Sequence, residues 1–147
     1  MQIVPASPAD WADIKRLLDG SALSTDDLSP DLLENFLVLR EGQILVAVVG
    51  IEGIGPAALL RSLAVSEHLR GDGMGRHMVA AAEVLARRRG VVSLYLLTTT
   101  AADYFSKLGY RNTPRETAPA GIRDTPQFSG LCPASSSFMV KPLEVKP

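Results

Sequence analysis

The sequence predicts an α/β protein in which helices pack on a mixed sheet. Its earliest strands are adjacent, because FLVLREGQILVAVVGIE, residues 36–52, reads as a hairpin that turns at Glu41-Gly42. Further segments typical of strands are ALLRSLAV, VVSLYLLT and SSFMVKPL, at residues 58–65, 91–98 and 136–143. Strands that first follow one another and then alternate with helices favour a mixed sheet covered by helices.

Capping residues mark where the helices begin and end. Ser-Pro pairs open a long helix over residues 7–20 and a short one from residue 29, because serine caps a helix and proline suits its first turn. Two more helices are predicted over Gly73–Arg89 and over residues 101–109. A glycine closes each of the two long helices.

The segment between Arg111 and Ser137 is the least regular part of the sequence and is rich in Pro, Ser, Thr and Gly. Loops of this length in a small domain are usually functional or disordered. Ile122, Phe128 and Leu131 within it are apolar side chains that need something to pack against. We therefore predict an ordered loop that borders a site.

Length and charge bound the class of protein. The chain has 147 residues, the size of one ordinary domain, and we predict a single domain over residues 1–147. Its 15 basic and 16 acidic side chains leave a net charge of −1. That balance argues against a general nucleic-acid-binding protein, which usually carries a basic surplus.

Cysteine use and the N-terminus indicate the cytoplasm. A lone cysteine, Cys132, allows neither an internal disulfide nor a thiolate metal cluster. The N-terminal MQIVPASPAD lacks the features of a signal peptide, and no apolar run reaches the roughly 20 residues that span a bilayer. We expect a cytoplasmic protein without a metal, a membrane or a nucleic-acid partner, and a homodimer is left open.

The glycine turn, residues 70–76 in RGDGMGRH, joins a strand to a helix. Backbone N–H groups and the dipole at a helix start attract phosphate, and glycine lets phosphate approach the backbone. Arg70 and Arg76 flank the turn and would add charge-assisted hydrogen bonds. The spacing fits neither a dinucleotide fingerprint nor a Walker loop. The turn therefore predicts phosphate binding, with a plain tight turn as the alternative.

Arg70–Gly75 resembles the [QR]-x-x-G-x-[GA] signature of the GNAT superfamily of N-acetyltransferases. The order around it is similar too, with RSLAV at 61–65 before the signature and YFSKLGY at 104–110 after it. The resemblance covers most of the chain. It implies the GNAT fold, a central mixed, mostly antiparallel sheet flanked by about four helices, and acetyl-CoA as cofactor.

The resemblance also implies how acetyl-CoA is held. The pyrophosphate would lie on the backbone of the glycine turn, and the pantetheine arm would pair with the backbone of Leu63–Val65. Thr98 stands where the family has an Asn that contacts pantetheine, and its hydroxyl can still form a hydrogen bond. The implied cofactor-binding residues are Leu63, Ala64, Val65, Arg70, Gly71, Asp72, Gly73, Met74, Gly75, Arg76 and Thr98.

A closer resemblance concerns the C-terminal half. LYLLTTTAADYFSKLGY at 94–110, together with TPQFSGLCPASSSFMVK at 125–141, is similar to the arsenic-resistance N-acetyltransferases. It implies that the acceptor is the amine of an amino-acid-like organoarsenical or phosphinate. Cys132 in the second segment would be an acyl relay or an arsenic ligand, or simply a small buried hydrophobe.

The sequence offers more than one candidate for the general acid. Alignment on KLGY puts Phe105 where the family has a tyrosine that protonates the departing thiolate, and phenylalanine has no proton to give. Tyr104 lies one position earlier, about 100° around the helix. The acid is Tyr104 or a water, unless CoA leaves without one; Tyr104 would otherwise be a packing residue.

The candidate base and the candidate residues of the acceptor site lie on predicted strands. Glu52, at the end of a strand candidate, is the candidate base, with a solvated turn residue as the alternative. Arg61 and Ser62 lie on the strand expected to line the cleft. Arg61 and Arg111 would hold an acidic group of the substrate, unless Arg61 faces solvent. His68 and His77 are expected to contact solvent or phosphate.

Together these observations predict an acetyl-CoA-dependent N-acetyltransferase of small amines. The amine would attack the thioester directly while the backbone of the strand at 58–65 polarises the carbonyl. The alternative is a catalytically silent acyl-CoA-binding regulator, which the missing tyrosine at position 105 favours. A nucleotide-phosphate-binding module would explain the glycine turn but not the order of elements around it.

Overall fold

The computed structural model describes residues 2–53, 55–131 and 135–143, and these form a seven-stranded sheet. The strands are Ile3–Pro5 (β1), Phe36–Glu41 (β2), Ile44–Glu52 (β3), Ala57–Val65 (β4), Ser93–Thr98 (β5), Arg111–Asn112 (β6) and Ser137–Pro142 (β7). Their order is β1-β2-β3-β4-β5-β7-β6. The β4–β5 pair is parallel, whereas β1–β2, β2–β3, β5–β7 and β6–β7 are antiparallel. The predicted mixed, mostly antiparallel sheet is confirmed.

The α-helices are Trp11–Gly20 (α1), Met74–Arg88 (α2), Ala102–Lys107 (α3) and Ala120–Arg123 (α4). The predicted helix at 7–20 opens with a 3₁₀ turn, in which the Ser7 N–H donates to Asp10 Oδ2 at 2.8 Å. The short helix predicted after Ser29 is also a 3₁₀ helix, Pro30–Asn35. Across the described ranges, no helix combines the length and apolarity needed to cross a membrane.

Gly90 ends α2 as predicted, and the hydrogen bonds show how. Gly90 has φ +83°, and the Val91 N–H donates to the Ala86 carbonyl at 3.0 Å, which is the closing bond of a Schellman motif. A side chain would strain this left-handed position, so glycine is the residue that lets the helix stop here.

The hairpin turn lies one residue later than predicted. Glu41 still pairs with Ile44, so the loop is Gly42-Gln43 rather than Glu41-Gly42. Gly42 has φ +63°, as two-residue hairpin loops require at their first position.

The described part of the irregular segment after Arg111 is an ordered chain of short elements, as predicted. That it borders a site stays a prediction. It contains β6, a 3₁₀ turn at Arg115–Thr117, α4 and a π-type turn at Gln127–Leu131. Ile122 is fully buried in it. Cys132 lies outside the described residues.

Two compact units make up the chain. The first comprises Met1–Ile51 and Ser62–Val84, and the second comprises Glu52–Arg61 and Leu85–Pro147. A buried cluster of the first unit contains Ile14, Leu18, Leu33, Phe36, Val38, Leu45, Val48 and Ala64. A buried cluster of the second contains Leu59, Ala118, Ile122 and Phe138. The apolar side chains of sheet and helices thus pack together within each unit, which is the main stabilising contribution to both.

Candidate functional site

Strand β4 contains an unusual backbone conformation at Ser62, whose φ is +59°. Among the described non-glycine residues, Ala22 shares a positive φ, but Ala22 lies in a turn whereas Ser62 lies inside a strand. A left-handed residue within a strand costs about 1–3 kcal/mol and redirects the N–H and C=O groups beside it. Strain of this kind is typical of functional sites.

Some backbone groups near the end of β4 already have hydrogen-bond partners. The register of β4 with β5 covers Ala57–Leu59 and stops there. At the other end of the strand, the Val65 carbonyl accepts a hydrogen bond from Arg70 Nε at 3.1 Å, and the Ser66 N–H donates to the Val46 carbonyl at 2.7 Å. The Val65 carbonyl, one of the predicted pantetheine partners, is therefore bonded to an exposed side chain of the glycine turn.

The glycine turn contains two left-handed residues directly before the start of α2. Gly71 and Gly73 have φ +91° and +79°, so both occupy the left-handed region that favours glycine. Helix α2 begins directly afterwards, and its first backbone bond runs from the His77 N–H to the Gly73 carbonyl at 3.1 Å. The N–H groups of the first turn of an α-helix have no acceptor within the helix. Phosphate binding there stays a prediction.

Glu52 and Arg61 form an ion pair within the second unit. Arg61 Nη1 donates to Glu52 Oε1 at 2.8 Å. The Arg61 side chain is 1% exposed and the Glu52 side chain is 32% exposed. The structure therefore buries the arginine that the sequence presents as a substrate clamp, and it leaves the carboxylate accessible.

The residues around α3 divide between packing and exposure. Thr98 Oγ1 accepts from the Ala101 N–H at 3.0 Å, which leaves the hydroxyl proton for donation. Phe105 is buried edge-on to Tyr110, at 5.8 Å between ring centroids. Tyr104 packs edge-on against Phe105 but is 40% exposed, so it is the ring of this pair that is accessible to solvent.

The arginines of the irregular segment have different roles. Arg115 Nη2 donates to the Ser136 carbonyl at 3.2 Å, and its guanidinium lies 5.3 Å from the centre of the Phe128 ring. Arg115 thus anchors the segment to the residue preceding β7. Arg111 on β6 and Arg123 at the end of α4 are exposed.

The two histidines are exposed, as expected for contacts with solvent. His68 Nε2 lies 3.3 Å from Glu41 Oε1, so it pairs with a carboxylate of the hairpin. His77 lies in the first turns of α2. Neither histidine shows the burial and fixed geometry that would favour it over Glu52 as a base.

Ser62 is the feature that sequence reasoning missed. The sequence suggests Ser62 through its side chain, as a residue lining the acceptor site, whereas the structure draws attention to its backbone. A glycine at this position would have signalled left-handed backbone, but a serine gives no such signal.

The acetyltransferase (GNAT) domain family matches residues 33–112. The uncharacterized N-acetyltransferase CT2212 of Chlorobaculum tepidum is 28% identical over 143 residues, which is 92% of each chain. The amino-acid acetyltransferases of Ectopseudomonas mendocina and Pseudomonas fluorescens are 29% and 30% identical over 90 residues. That match covers 60% of this chain but 21% of theirs.

Solved structures share the fold. N-acetylglutamate synthase from Neisseria gonorrhoeae, complexed with coenzyme A and N-acetyl-glutamate, superposes with a TM-score of 0.85 at 20% identity, over 98% of this chain and 35% of that one. Rv2747 from Mycobacterium tuberculosis, in complex with CoA, superposes with a TM-score of 0.82 at 18% identity, over 98% and 100% of the two chains. Because the family match spans more than half of the sequence, the chain belongs to the GNAT acetyltransferase family and is an N-acetyltransferase with acetyl-CoA as its cosubstrate.

Proposed function

We propose that this enzyme acetylates the amine of an amino-acid-like small molecule. The observation that carries the proposed acetyl transfer is the backbone of β4, where Ser62 has φ +59° directly before Leu63–Val65. A backbone N–H of Leu63–Val65 that does not pair with a neighbouring strand would stabilise the negative charge that develops on the thioester oxygen during attack. Backbone strain of this kind clusters at active sites.

Acetyl-CoA binding would follow the same strand and the turn after it. The pyrophosphate lies on the backbone N–H groups of the glycine turn, residues 70–76, and the pantetheine arm pairs with Leu63–Val65. Arg70 then leaves the Val65 carbonyl, which it holds at 3.1 Å, and bonds the phosphates instead. Thr98 donates its hydroxyl proton to the pantetheine arm.

The transfer balances with three proton movements. The substrate ammonium loses one proton to Glu52, and the free amine forms the new C–N bond with the acetyl carbon. The C–S bond then breaks, and the CoA thiolate takes a proton from Tyr104 or from water. The nitrogen gives up its second proton, which restores the acid and leaves a neutral amide. The exposed fraction of Glu52, 32%, supports its access to substrate.

The acceptor class rests on two kinds of support. Relatives at 29% and 30% identity bear the name amino-acid acetyltransferase. The exposed Arg111 and Arg123 are suited to holding an acidic group on the acceptor. Within this class we propose an amino-acid analogue with an arsinic or phosphinic group, in arsenic or toxin resistance. The 147 residues would act as one cytoplasmic domain, either alone or as a homodimer, without nucleic acid or membrane.

The test is turnover with acetyl-CoA and a panel of amines. The panel contains amino acids, arsinic and phosphinic analogues and polyamines, and the measurements are CoA release and the mass of the product. We expect acetylated product with acceptors that carry an acidic group. CoA binding without turnover of any amine would instead support a silent acyl-CoA-binding regulator, which the buried Phe105 favours. Displacement of CoA by ATP would support a nucleotide-phosphate-binding module.

A further inference from the structure

We propose that Arg61 is a positioning residue that acts through Glu52 and does not bind the acidic group of the acceptor. The inference rests on the proposed function, because it concerns the base of that reaction. It starts from one hydrogen bond, in which Arg61 Nη1 donates to Glu52 Oε1 at 2.8 Å.

The exposure of the two side chains is unequal, and this decides which of them meets the substrate. The Arg61 side chain is 1% exposed, whereas the Glu52 side chain is 32% exposed. A guanidinium out of contact with water is unfavourable unless a carboxylate and hydrogen bonds compensate it. An acidic group of the acceptor would have to displace Glu52 to reach Arg61 Nη1. The pair therefore presents its carboxylate to the substrate and keeps its cation inside.

A carboxylate held in this way suits the amine of the acceptor. Glu52 ends β3, and its side chain would otherwise sample several rotamers at the edge of a turn. The bond from Arg61 selects one orientation, in which the remaining exposed surface of the carboxylate can accept a proton from an ammonium group. A misplaced base loses much of its effect, since proton transfer requires hydrogen-bond geometry.

The experiment measures kcat and KM for Arg61→Gln, Arg61→Lys, Glu52→Gln and the Arg61→Gln/Glu52→Gln double variant. Two matched acceptors are compared, an amino acid and the same amine without its acidic group. We expect Arg61→Gln to lower kcat by about 10-fold to 100-fold with both acceptors alike, and Arg61→Lys to recover part of that loss. In the Glu52→Gln variant, adding Arg61→Gln should lower kcat little further, because the two residues act as a unit.

Two results would overturn the inference. One is a rise in KM confined to the acceptor that carries the acidic group, which would make Arg61 an anion clamp. The other is a fall in kcat from Arg61→Gln that is as large in the Glu52→Gln variant as in the unsubstituted enzyme. If Arg61→Gln does not fold, Arg61→Lys serves for the same comparisons, since it keeps the charge and loses the planar donor fork. Absence of turnover by the unsubstituted enzyme with either acceptor contradicts the proposed function itself, and this inference with it.

Discussion

Left-handed backbone occurs twice in the segment Ser62–Val84, and the two places differ in how the sequence encodes it. In the glycine turn, Gly71 and Gly73 adopt positive φ at little cost, because glycine has no Cβ. In β4, Ser62 adopts φ +59° with a side chain attached, and this strains the strand. Glycine allows the turn at little cost in free energy, whereas a left-handed serine persists only where the surrounding structure stabilises it. Under the function proposed above, the turn would bind the cofactor and the strained residue would lie at the reacting thioester.

The largest expected effect tests the glycine turn. In Gly73→Val, a β-branched side chain occupies the place proposed for the pyrophosphate. Loss of two or more charge-assisted hydrogen bonds, each about 1.5–3 kcal/mol, should weaken CoA binding by about 100-fold or more. Calorimetry on the folded variant measures this, and unchanged CoA affinity would remove the turn from the cofactor site.

Gly42→Val is the matched control for that substitution. Gly42 has φ +63°, and a Cβ there meets nothing within 4 Å, so valine suffers the same backbone strain. A Cβ on Gly73 meets Arg76 Nη2 at an ordinary 3.5 Å, so the protein itself leaves room for it. Both variants should therefore lose similar stability, while Gly42→Val keeps its affinity for CoA.

The next effect concerns the thiolate that leaves the proposed reaction centre at β4. If Tyr104 protonates it, Tyr104→Phe should lower kcat by on the order of 100-fold with little change in KM. The ring stays the same size, so its edge-on contact with Phe105 is retained. A loss below about threefold would assign Tyr104 to packing and leave CoA to depart without help from the protein.

A smaller effect separates the backbone of Ser62 from its hydroxyl. Ser62→Gly relieves the strain and should keep kcat within about threefold, because the backbone conformation is retained. Ser62→Val disfavours the left-handed conformation and should lower kcat by about 10-fold. A large loss in Ser62→Gly would mean that the hydroxyl contacts the acceptor, as the sequence alone suggests, and the contrast with the glycine turn would disappear.

The smallest expected effect is on the stability of the first unit, which contains Ser62 and the glycine turn. Burial on its own raises the pKa of Asp10, but hydrogen bonds from the Arg40 side chain and the Ser7 backbone, together with the charge of Arg40, hold that pKa below its ordinary value. The group therefore stabilises the fold above the pKa of the unfolded chain, about 3.9, and the stabilisation is lost as the pH falls through the folded pKa.

Asp10→Asn should lower the free energy of unfolding by about 1 kcal/mol at neutral pH, and by less below pH of about 4. Urea unfolding of both proteins at pH 7 and pH 3 measures the two differences. An equal difference at the two pH values would contradict this assignment. CoA affinity at pH 7 should stay unchanged, since Asp10 belongs to neither left-handed place.

Local signals in the sequence determined the hairpin, the long helices α1 and α2, and the glycine turn between strand and helix. Each depends on residues that are neighbours in the sequence: serine and proline where a helix starts, Gly90 where a helix ends, and alternating apolar residues along a strand. The family resemblance rests on the same stretch, since the signature Arg70–Gly75 is contiguous.

The tertiary structure decided what depends on distant partners. Strands β1 and β6 have 3 and 2 residues, too few for a periodic pattern, and they exist through pairing with β2 and β7. The burial of Arg61 against Glu52 and the left-handed backbone of Ser62 leave no trace in residue type. An arginine in a strand is compatible with either face, and a serine with almost any φ below zero. Which side chain is buried, and where a strand is strained, follows from packing between segments that the linear sequence keeps apart.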